Sequence, residues 1–429
     1  MKPKQLFESK TFCPAPWNNL YVAPDGDVKT CSIGASPLGN LNTDTFASCI
    51  TSNPVLKEIQ GAMINGKYHS NCAECYKLET EQDAYSLRKH YKRTLTRTDR
   101  LESYDTNDGD LIPTGFDLRY DNTCQNACVY CFPALSSRWA KELGVTVNRA
   151  DGVEDVKQFV LDNLANAKEV YLAGGEPLIN KDFAQLLETL YEVNPDCKLR
   201  INSNIKNIHT PVFELSKKFK KLRYTISAES TGEHYQYIRY PQTWSSFAKN
   251  IDIVINEVPS YNFNMVLNVL NPVALFDCID YLMERGVHEN GFVIHHATSP
   301  TWSNINNLPD WQLDYFVLRC TQLQKTLDPK YSLYNAIEGC INFIDSKYKK
   351  DIDDTRTNLL LLDQRRKLNS KELFPHIWES NMEKEETIMP VDMFNNKQQK
   401  KEAEDQDAEL DWAETYGVNT EDFLSPKKT

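Results

Sequence analysis

The chain has 429 residues, a formal net charge of −12 and 12 cysteines. This length suffices for one large α/β domain and a smaller one, and the acidic balance excludes a nucleic-acid-binding surface spread over the whole molecule. The sequence shows neither an apolar leader nor a stretch of membrane-spanning length, so we expect a cytoplasmic protein without a membrane partner. Seven of the cysteines are clustered, which in a reducing compartment indicates metal binding or chemistry rather than disulfides.

Residues 1–80 are predicted to form a small irregular module. A strand-like run at 20–22 and the turn Pro24–Asp27 lie between Cys13 and Cys31, and a helical stretch at 45–65 leads to Cys72 and Cys75. Residues 81–114 have helical composition and are predicted to form a linker helix. Its basic part, residues 86–100, has the composition of a solvated helix face, with nucleic-acid binding as the alternative.

Residues 115–305 are predicted to form an α/β core. β-rich runs alternate there with helical stretches, which indicates parallel strands joined by crossover helices, in either a barrel or a doubly wound sheet. Residues 306–382 are predicted to form a helical extension. Residues 383–429 are predicted to form a partly mobile tail, because acidic residues dominate and large apolar ones are few. The six predicted strands are Phe116–Tyr120, Glu169–Ala173, Lys198–Asn202, Leu222–Ser227, Asn262–Val269 and Gly291–His295.

Three cysteines follow the first predicted core strand on one loop: Cys124, Cys128 and Cys131. The carboxyl end of a barrel strand is where barrel enzymes carry their chemistry. Thiolates are the usual ligands of iron–sulfur clusters, and a four-iron cluster held by three of them keeps one iron open to another ligand. The alternative is structural zinc, which usually takes four ligands, and no fourth Cys or His lies nearby.

The C-x₃-C-x₂-C spacing resembles the signature of the radical S-adenosylmethionine (SAM) superfamily. The aromatic Tyr130 within the loop, and the later Gly174-Gly175-Glu176-Pro177 after the second strand, strengthen the resemblance. It implies a partial (β/α)6 TIM-type barrel, a [4Fe-4S] cluster on the three cysteines, and SAM bound at the open iron with its methionyl amino group on the GGEP segment. Further SAM contacts implied at the ends of later strands, with plain hydrogen-bonding roles as the alternative, are Asn202, Ser203, Ser227, Glu229 and Arg239.

A second cysteine set resembles the C-x₉₋₁₅-G-x₄-C element of SPASM and twitch domains. Cys13 is followed by twelve residues, Gly26, four residues and Cys31, and the pair Cys72 and Cys75 comes later. The resemblance implies one auxiliary [4Fe-4S] cluster, with a four-cysteine zinc site as the alternative. In the family this module usually follows the barrel, whereas here it precedes it. The remaining cysteines at 49, 197, 278, 320 and 340 are expected to be ordinary thiols.

The resemblance implies an enzyme that cleaves SAM reductively to a 5′-deoxyadenosyl radical, which abstracts hydrogen from a substrate. It requires an electron donor such as a flavodoxin or ferredoxin and no catalytic base. We favour a peptide or protein substrate. The alternatives are a dehydrogenase or epimerase of a small metabolite or carbohydrate, and a non-catalytic metal-binding scaffold. His295 and His296 end the sixth strand, so one of them should point into the barrel.

Overall fold

A computed structural model of the chain describes residues 3–81, 86–96, 104, 106–147, 149–345 and 347–378. The predicted acidic tail at 383–429 lies outside these residues. The chain divides into two compact units after Asp351, inside the predicted helical extension. No helix within the described ranges is both long and apolar enough to cross a bilayer.

One nine-stranded sheet organises the first unit, in the order β3-β2-β1-β4-β5-β6-β7-β8-β9. Strands β4 to β9 are all parallel to their neighbours and are the six predicted core strands, with ends shifted by at most two residues. Consecutive strands lie side by side, which is the order of a barrel and not of a doubly wound sheet. The strands are β1 Asn19–Val22, β2 Asp27–Lys29, β3 Gly39–Asn40, β4 Gly115–Leu118, β5 Glu169–Leu172, β6 Lys198–Ser203, β7 Leu222–Ser227, β8 Tyr261–Leu267 and β9 Phe292–His296.

Eighteen α-helices occur in the described residues, and local sequence explains their positions. Asn180, for example, caps the helix after β5 by accepting a 2.9 Å bond from Asp182 N, and that helix buries apolar residues at helical spacing. The helices are α1 Pro3–Glu8, α2 Ala15–Asn18, α3 Phe46–Ile50, α4 Pro54–Ile64, α5 Ala73–Glu81, α6 Leu87–Thr94, α7 Ser137–Leu143, α8 Val153–Asn163, α9 Lys181–Val193, α10 Pro211–Ser216, α11 Gly232–Ile238, α12 Trp244–Glu257, α13 Ala274–Glu284, α14 Asp310–Gln324, α15 Ser332–Phe343, α16 Ile352–Arg366, α17 Ser370–Leu373 and α18 Pro375–Trp378. The fold is therefore the predicted α/β partial barrel, which is not closed.

The two faces of the sheet differ in chemistry. The outer face, where the apolar core lies, carries Leu118, Leu172 and Ile201, each fully buried. The opposite face, here called the inner face, carries one row of polar side chains that pair in register across five strands. That row is Tyr21, Asp117, Tyr171, Arg200 and Arg223. Polar side chains on a sheet face require hydrogen-bond or charge partners, and His90 of α6 supplies one to Arg200, at 3.2 Å.

The N-terminal module joins this sheet directly. Strand β1 pairs in parallel with β4, and β2 and β3 add antiparallel strands beyond it. Helix α6 also packs within the module, because Tyr91 is buried in one apolar cluster with Phe12 and Trp17. A linker helix was predicted at 81–114. Among the described residues that follow α5 in this range, the one α-helix is α6, which has eight residues and belongs to the core of the module.

The second unit is described from Ile352 to Trp378 and contains α16, α17 and α18. Asp363 of α16 accepts hydrogen bonds from the amide and the hydroxyl of Ser370, at 2.9 and 2.7 Å. Arg356 donates to the carbonyl oxygen of Ile377 at 2.8 Å. These bonds join the three helices into one small unit.

Candidate functional site

The three-cysteine loop follows the carboxyl end of β4, as predicted. Cys124 and Cys128 are buried and Cys131 is partly exposed. Several backbone groups of the loop are bonded to residues distant in sequence. Ala127 N donates to Tyr240 O at 2.7 Å, and Trp139 Nε1 donates to Cys128 O at 2.8 Å. The loop is thus held in one conformation, which a three-point ligand set requires.

The GGEP turn lies directly against this loop. Glu176 N donates a 2.7 Å hydrogen bond to Thr123 O, one residue before Cys124. Gly174 and Gly175 have φ values of +74° and +41°. A Cβ at Gly174 would lie 2.5 Å from Arg119 Cβ, and one at Gly175 would collide with the carbonyl oxygen of Thr123. Glycine is therefore required for the approach of other protein backbone, in addition to any approach of SAM.

The carboxylate of Glu176 fixes the end of the next strand. It accepts bonds from the Ser203 hydroxyl and from Asn204 N, both at 2.7 Å, and from Leu178 N at 3.1 Å. Burial raises the pKa of Glu176 to about 7, although these hydrogen bonds oppose the rise. Glu176 and Ser203 thus contact each other, and Pro177 begins the short 3-10 helix that follows the turn.

Arg239 and Glu229 form a buried bidentate ion pair, with nitrogen–oxygen distances of 2.8 and 2.6 Å. Tyr130 donates to the same carboxylate at 3.0 Å, and Arg239 Nη1 lies 3.6 Å from Cys128 Sγ. The structure thus brings Tyr130, Glu229 and Arg239 together beneath the cysteine loop. A donor to a cluster sulfur tunes the reduction potential of an iron–sulfur site.

By strand alternation, Asn202 and Ser227 lie on the inner face. Asn202 Oδ1 is buried, and no described residue bonds to it. Asn204, immediately after β6, places its Nδ2 3.9 Å from Cys124 Sγ. In the sequence, Asn204 shares the strand end of Asn202 and Ser203, where the resemblance places SAM contacts, but its proximity to Cys124 is visible only in the structure. Of the two histidines, His296 stacks on Phe343 of α15, so strand alternation directs His295 to the inner face.

The second cysteine set lines one pocket. Cys13, Cys31, Cys72 and Cys75 surround it, together with Arg88 and other residues of α6 and its surroundings. In the described residues no three His, Cys, Asp or Glu side chains converge on one point as a mononuclear metal requires. Burial, together with the neighbouring thiols of Cys31 and Cys75, raises the pKa of Cys72 to about 12. Four thiolates here therefore need a compensating cation.

The pocket lies at the opposite end of the sheet from the three-cysteine loop. Asn19 begins β1 and bonds to Thr30 O at 2.8 Å and to the Tyr91 hydroxyl at 3.3 Å, and both of these partners line the pocket. Asn19 also pairs with Gly115, the first residue of β4. Cys124 follows the other end of that strand, so about 10 Å of strand or more separates the four-cysteine pocket from the three-cysteine loop.

Comparisons with known proteins agree with this organisation. The model of the radical SAM superfamily matches residues 120–287, and the SPASM model, an iron–sulfur cluster-binding domain, matches residues 13–76. No curated protein sequence matches the chain. Among solved structures, native anSMEcpe with bound AdoMet is 15% identical over 48% of this chain and 58% of that chain, with a TM-score of 0.38. Streptococcus suis SuiB bound to S-adenosylmethionine is 16% identical over 62% and 63%, also with a TM-score of 0.38. The chain thus spans less than two thirds of either.

The residues present fit the cofactors that these domains imply, a [4Fe-4S] cluster with SAM and an auxiliary iron–sulfur cluster. Three thiols on one loop leave a fourth position open, and at the end of β6 the buried Asn202 Oδ1 has no hydrogen-bond partner among the described residues. Four more thiols line a single pocket in the N-terminal module. The two matched domains together cover just over half of the chain. The chain thus contains a domain of the radical SAM superfamily at residues 120–287, preceded by an iron–sulfur cluster-binding domain of SPASM type at residues 13–76.

Proposed function

We propose that the protein is a radical SAM enzyme that cleaves SAM reductively and abstracts hydrogen from a substrate. One observation carries the proposal. Cys124, Cys128 and Cys131 lie on one loop at the carboxyl end of β4, and the bond from Glu176 N to Thr123 O joins that loop to the GGEP turn. Cluster ligands and the SAM-binding segment of the family are therefore in contact.

The bound cluster and SAM supply the 5′-deoxyadenosyl radical chemistry. The chain's own residues hold and position these groups. Cys124, Cys128 and Cys131 provide three thiolate ligands. Asn204 Nδ2 and Arg239 Nη1 lie near two of these sulfurs, where they favour the thiolate form. No proton transfer by a protein base is needed.

SAM is proposed to lie along the GGEP turn and the ends of β6 and β7. Gly174, Gly175, Glu176 and Pro177 supply the turn. Asn202 and Ser227 offer polar groups toward the inner face, and Ser203 orients Glu176 through a 2.7 Å bond. Tyr130, Glu229 and Arg239 are proposed to contribute by holding the loop around Cys128, since their polar groups are bonded to one another.

Cys13, Cys31, Cys72 and Cys75 are proposed to hold the auxiliary cluster. Four cysteines leave no open iron, and the pocket lies at the amino ends of β1 and β4, away from the SAM level. This placement favours electron transfer or stabilisation of the module, and it argues against direct binding of the substrate by this cluster.

A peptide or protein is the proposed substrate, because SPASM-type modules accompany peptide modification in the family. A flavodoxin or ferredoxin is the proposed electron donor, since reductive cleavage of SAM consumes one electron. We place the reaction in the cytoplasm, because all twelve cysteines are free and a reducing compartment preserves both thiols and clusters.

Replacing Cys124, Cys128 and Cys131 together by Ala tests the proposal. After anaerobic reconstitution, the variant should contain about four fewer irons per chain than the wild type and should form no 5′-deoxyadenosine with SAM and dithionite. Cys197→Ala, a buried thiol outside both sites, is the matched control and should retain both properties. Continued formation of 5′-deoxyadenosine by the triple variant would refute the assignment.

A further inference from the structure

The N-terminal module contributes a side chain to the inner face of the sheet, near the proposed SAM site. Tyr21 of β1 lies on the inner face, where it pairs in register with Asp117 of β4. Arg119, just after β4, packs its guanidinium over the Tyr21 ring at 5.0 Å. Arg119 also touches the GGEP turn, since a Cβ at Gly174 would lie 2.5 Å from Arg119 Cβ. A ligand on Tyr21 and Arg119 would therefore adjoin SAM.

Both side chains have hydrogen-bond donors to spare. Tyr21 is only 7% exposed, and no described residue hydrogen-bonds to its hydroxyl. Arg119 donates through Nε and Nη2 to Asp117, at 3.1 and 3.4 Å, which leaves Nη1 without a partner among the described residues. A donor that no described protein group uses is available to a ligand or to water.

The net charge of the inner face indicates which kind of ligand it would bind. In the described strands and the residue that follows β4, five basic side chains face three carboxylates on this side of the sheet, in a chain whose total charge is −12. Such a local excess attracts anions. The basic residues are Lys29, Arg119, Lys198, Arg200 and Arg223, and the acidic ones are Asp27, Asp117 and Glu169. A carboxylate accepts hydrogen bonds from an Arg fork and a phenol together, whereas a neutral amide would leave the excess charge uncompensated.

We propose that Tyr21 and Arg119 bind a carboxylate of the substrate, so that the N-terminal module forms part of the substrate site. For a peptide substrate this carboxylate is an Asp or Glu side chain. The inference deepens the proposed function and rests on it. It assigns the module a role in substrate recognition through β1, separate from the cysteine pocket at the other end of the sheet.

Two small probes test the proposal on the reconstituted, SAM-saturated protein. N-acetyl-L-glutamate N-methylamide carries a side-chain carboxylate, and the corresponding glutamine compound is its neutral isostere. Saturation-transfer NMR titrations should give a Kd for the glutamate probe at least about tenfold lower than for the glutamine probe, which corresponds to about 1.4 kcal/mol. Equal binding of the two probes, or binding of neither, would overturn the proposal.

Substitutions at Tyr21 and Arg119 test whether the glutamate probe binds at these two residues. Tyr21→Phe removes only the hydroxyl and should weaken binding of the glutamate probe about tenfold, the effect expected for one hydrogen bond to a charged group. Arg119→Lys keeps the charge but loses the fork, so it should weaken binding as well. Tyr191→Phe, on the exposed side of α9, is the control and should leave binding unchanged. Unchanged binding in Tyr21→Phe would refute the role of the module.

A separate measurement distinguishes the substrate carboxylate from that of SAM. If Tyr21 and Arg119 instead held the carboxylate of SAM, the probe would compete with SAM and Tyr21→Phe would raise the Kd of SAM, which would overturn the proposal. 5′-Deoxyadenosine formation by the wild type without substrate tests the proposed function independently. Its absence would reject that function, whereas its presence without selective probe binding would reject this inference alone.

Discussion

Glu176 N and Thr123 O, joined by a 2.7 Å hydrogen bond, connect the GGEP turn to the loop that carries Cys124. Two segments that are about fifty residues apart in sequence thus share one backbone contact. Loading of the cluster and binding of SAM are therefore expected to depend on the same local geometry.

Gly175→Ala should reduce both iron loading and SAM affinity, because the added Cβ would collide with Thr123 O and displace the cysteine loop. Iron analysis and equilibrium binding of SAM measure the two effects. Gly144→Ala is the matched control, since Gly144 also has a positive φ, of +65°, but no atom lies within 4 Å of its added Cβ. A Gly175→Ala protein with full iron content and wild-type SAM affinity would contradict the contact.

Arg239→Met should destabilise the reconstituted protein by about 3–5 kcal/mol, because Glu229 would remain buried without its partner. Urea unfolding under anaerobic conditions measures the loss. The double variant Glu229→Leu/Arg239→Met should recover much of it, since no buried charge is left. Equal instability of the single and double variants would show that the uncompensated charge is not the cause.

Glu176 should make stability depend on pH. Its pKa is raised to about 7 in the folded protein, whereas the ordinary value is 4.5, so the folded state binds the extra proton between these values. Stability contributed by this proton is present at low pH and is lost as the pH rises toward 7. Between pH 5.5 and 7 the wild type should lose about 2 kcal/mol relative to Glu176→Gln, with no further change above pH 7.5. The free energy of unfolding is measured against pH for both proteins without SAM. If the wild type and Glu176→Gln change in parallel, the raised pKa is contradicted.

Cys72→Ser/Cys75→Ser should halve the iron content, from about eight to about four per chain, without emptying the SAM site. The variant should also be less stable in its N-terminal module, since the cluster would hold together three distant segments of it. Cys197→Ala controls for the loss of a buried thiol. If the wild type contains about four irons and one zinc, and the variant loses the zinc, the four cysteines bind zinc and not an auxiliary cluster.

Local sequence predicted the strands and the cysteine groups well. The runs at 169–173 and 222–227 alternate with helical stretches, and this periodicity depends only on neighbouring residues. The spacing of Cys124, Cys128 and Cys131 is likewise local, because three ligands on one short loop need no information about the remainder of the fold. The same holds for Gly174 to Pro177.

Pairings between distant segments could not be predicted from the sequence. Arg239 and Glu229 both have the chemistry of SAM contacts, and only the fold brings them together as a buried pair below Cys128. The close approach of Thr123 to Gly175 likewise arises from the packing of two loops.

The sequence by itself determined the family, the cluster ligands expected for each domain and the alternation of strands and helices, because each is written in short contiguous patterns. Only the tertiary structure decided that β1 pairs with β4 across more than ninety residues of chain, which places Tyr21 beside Arg119. The same pairing places the four-cysteine pocket at the opposite end of the sheet from the SAM loop. Strand order and direction depend on which edges pair in space, and local periodicity carries no information about that choice.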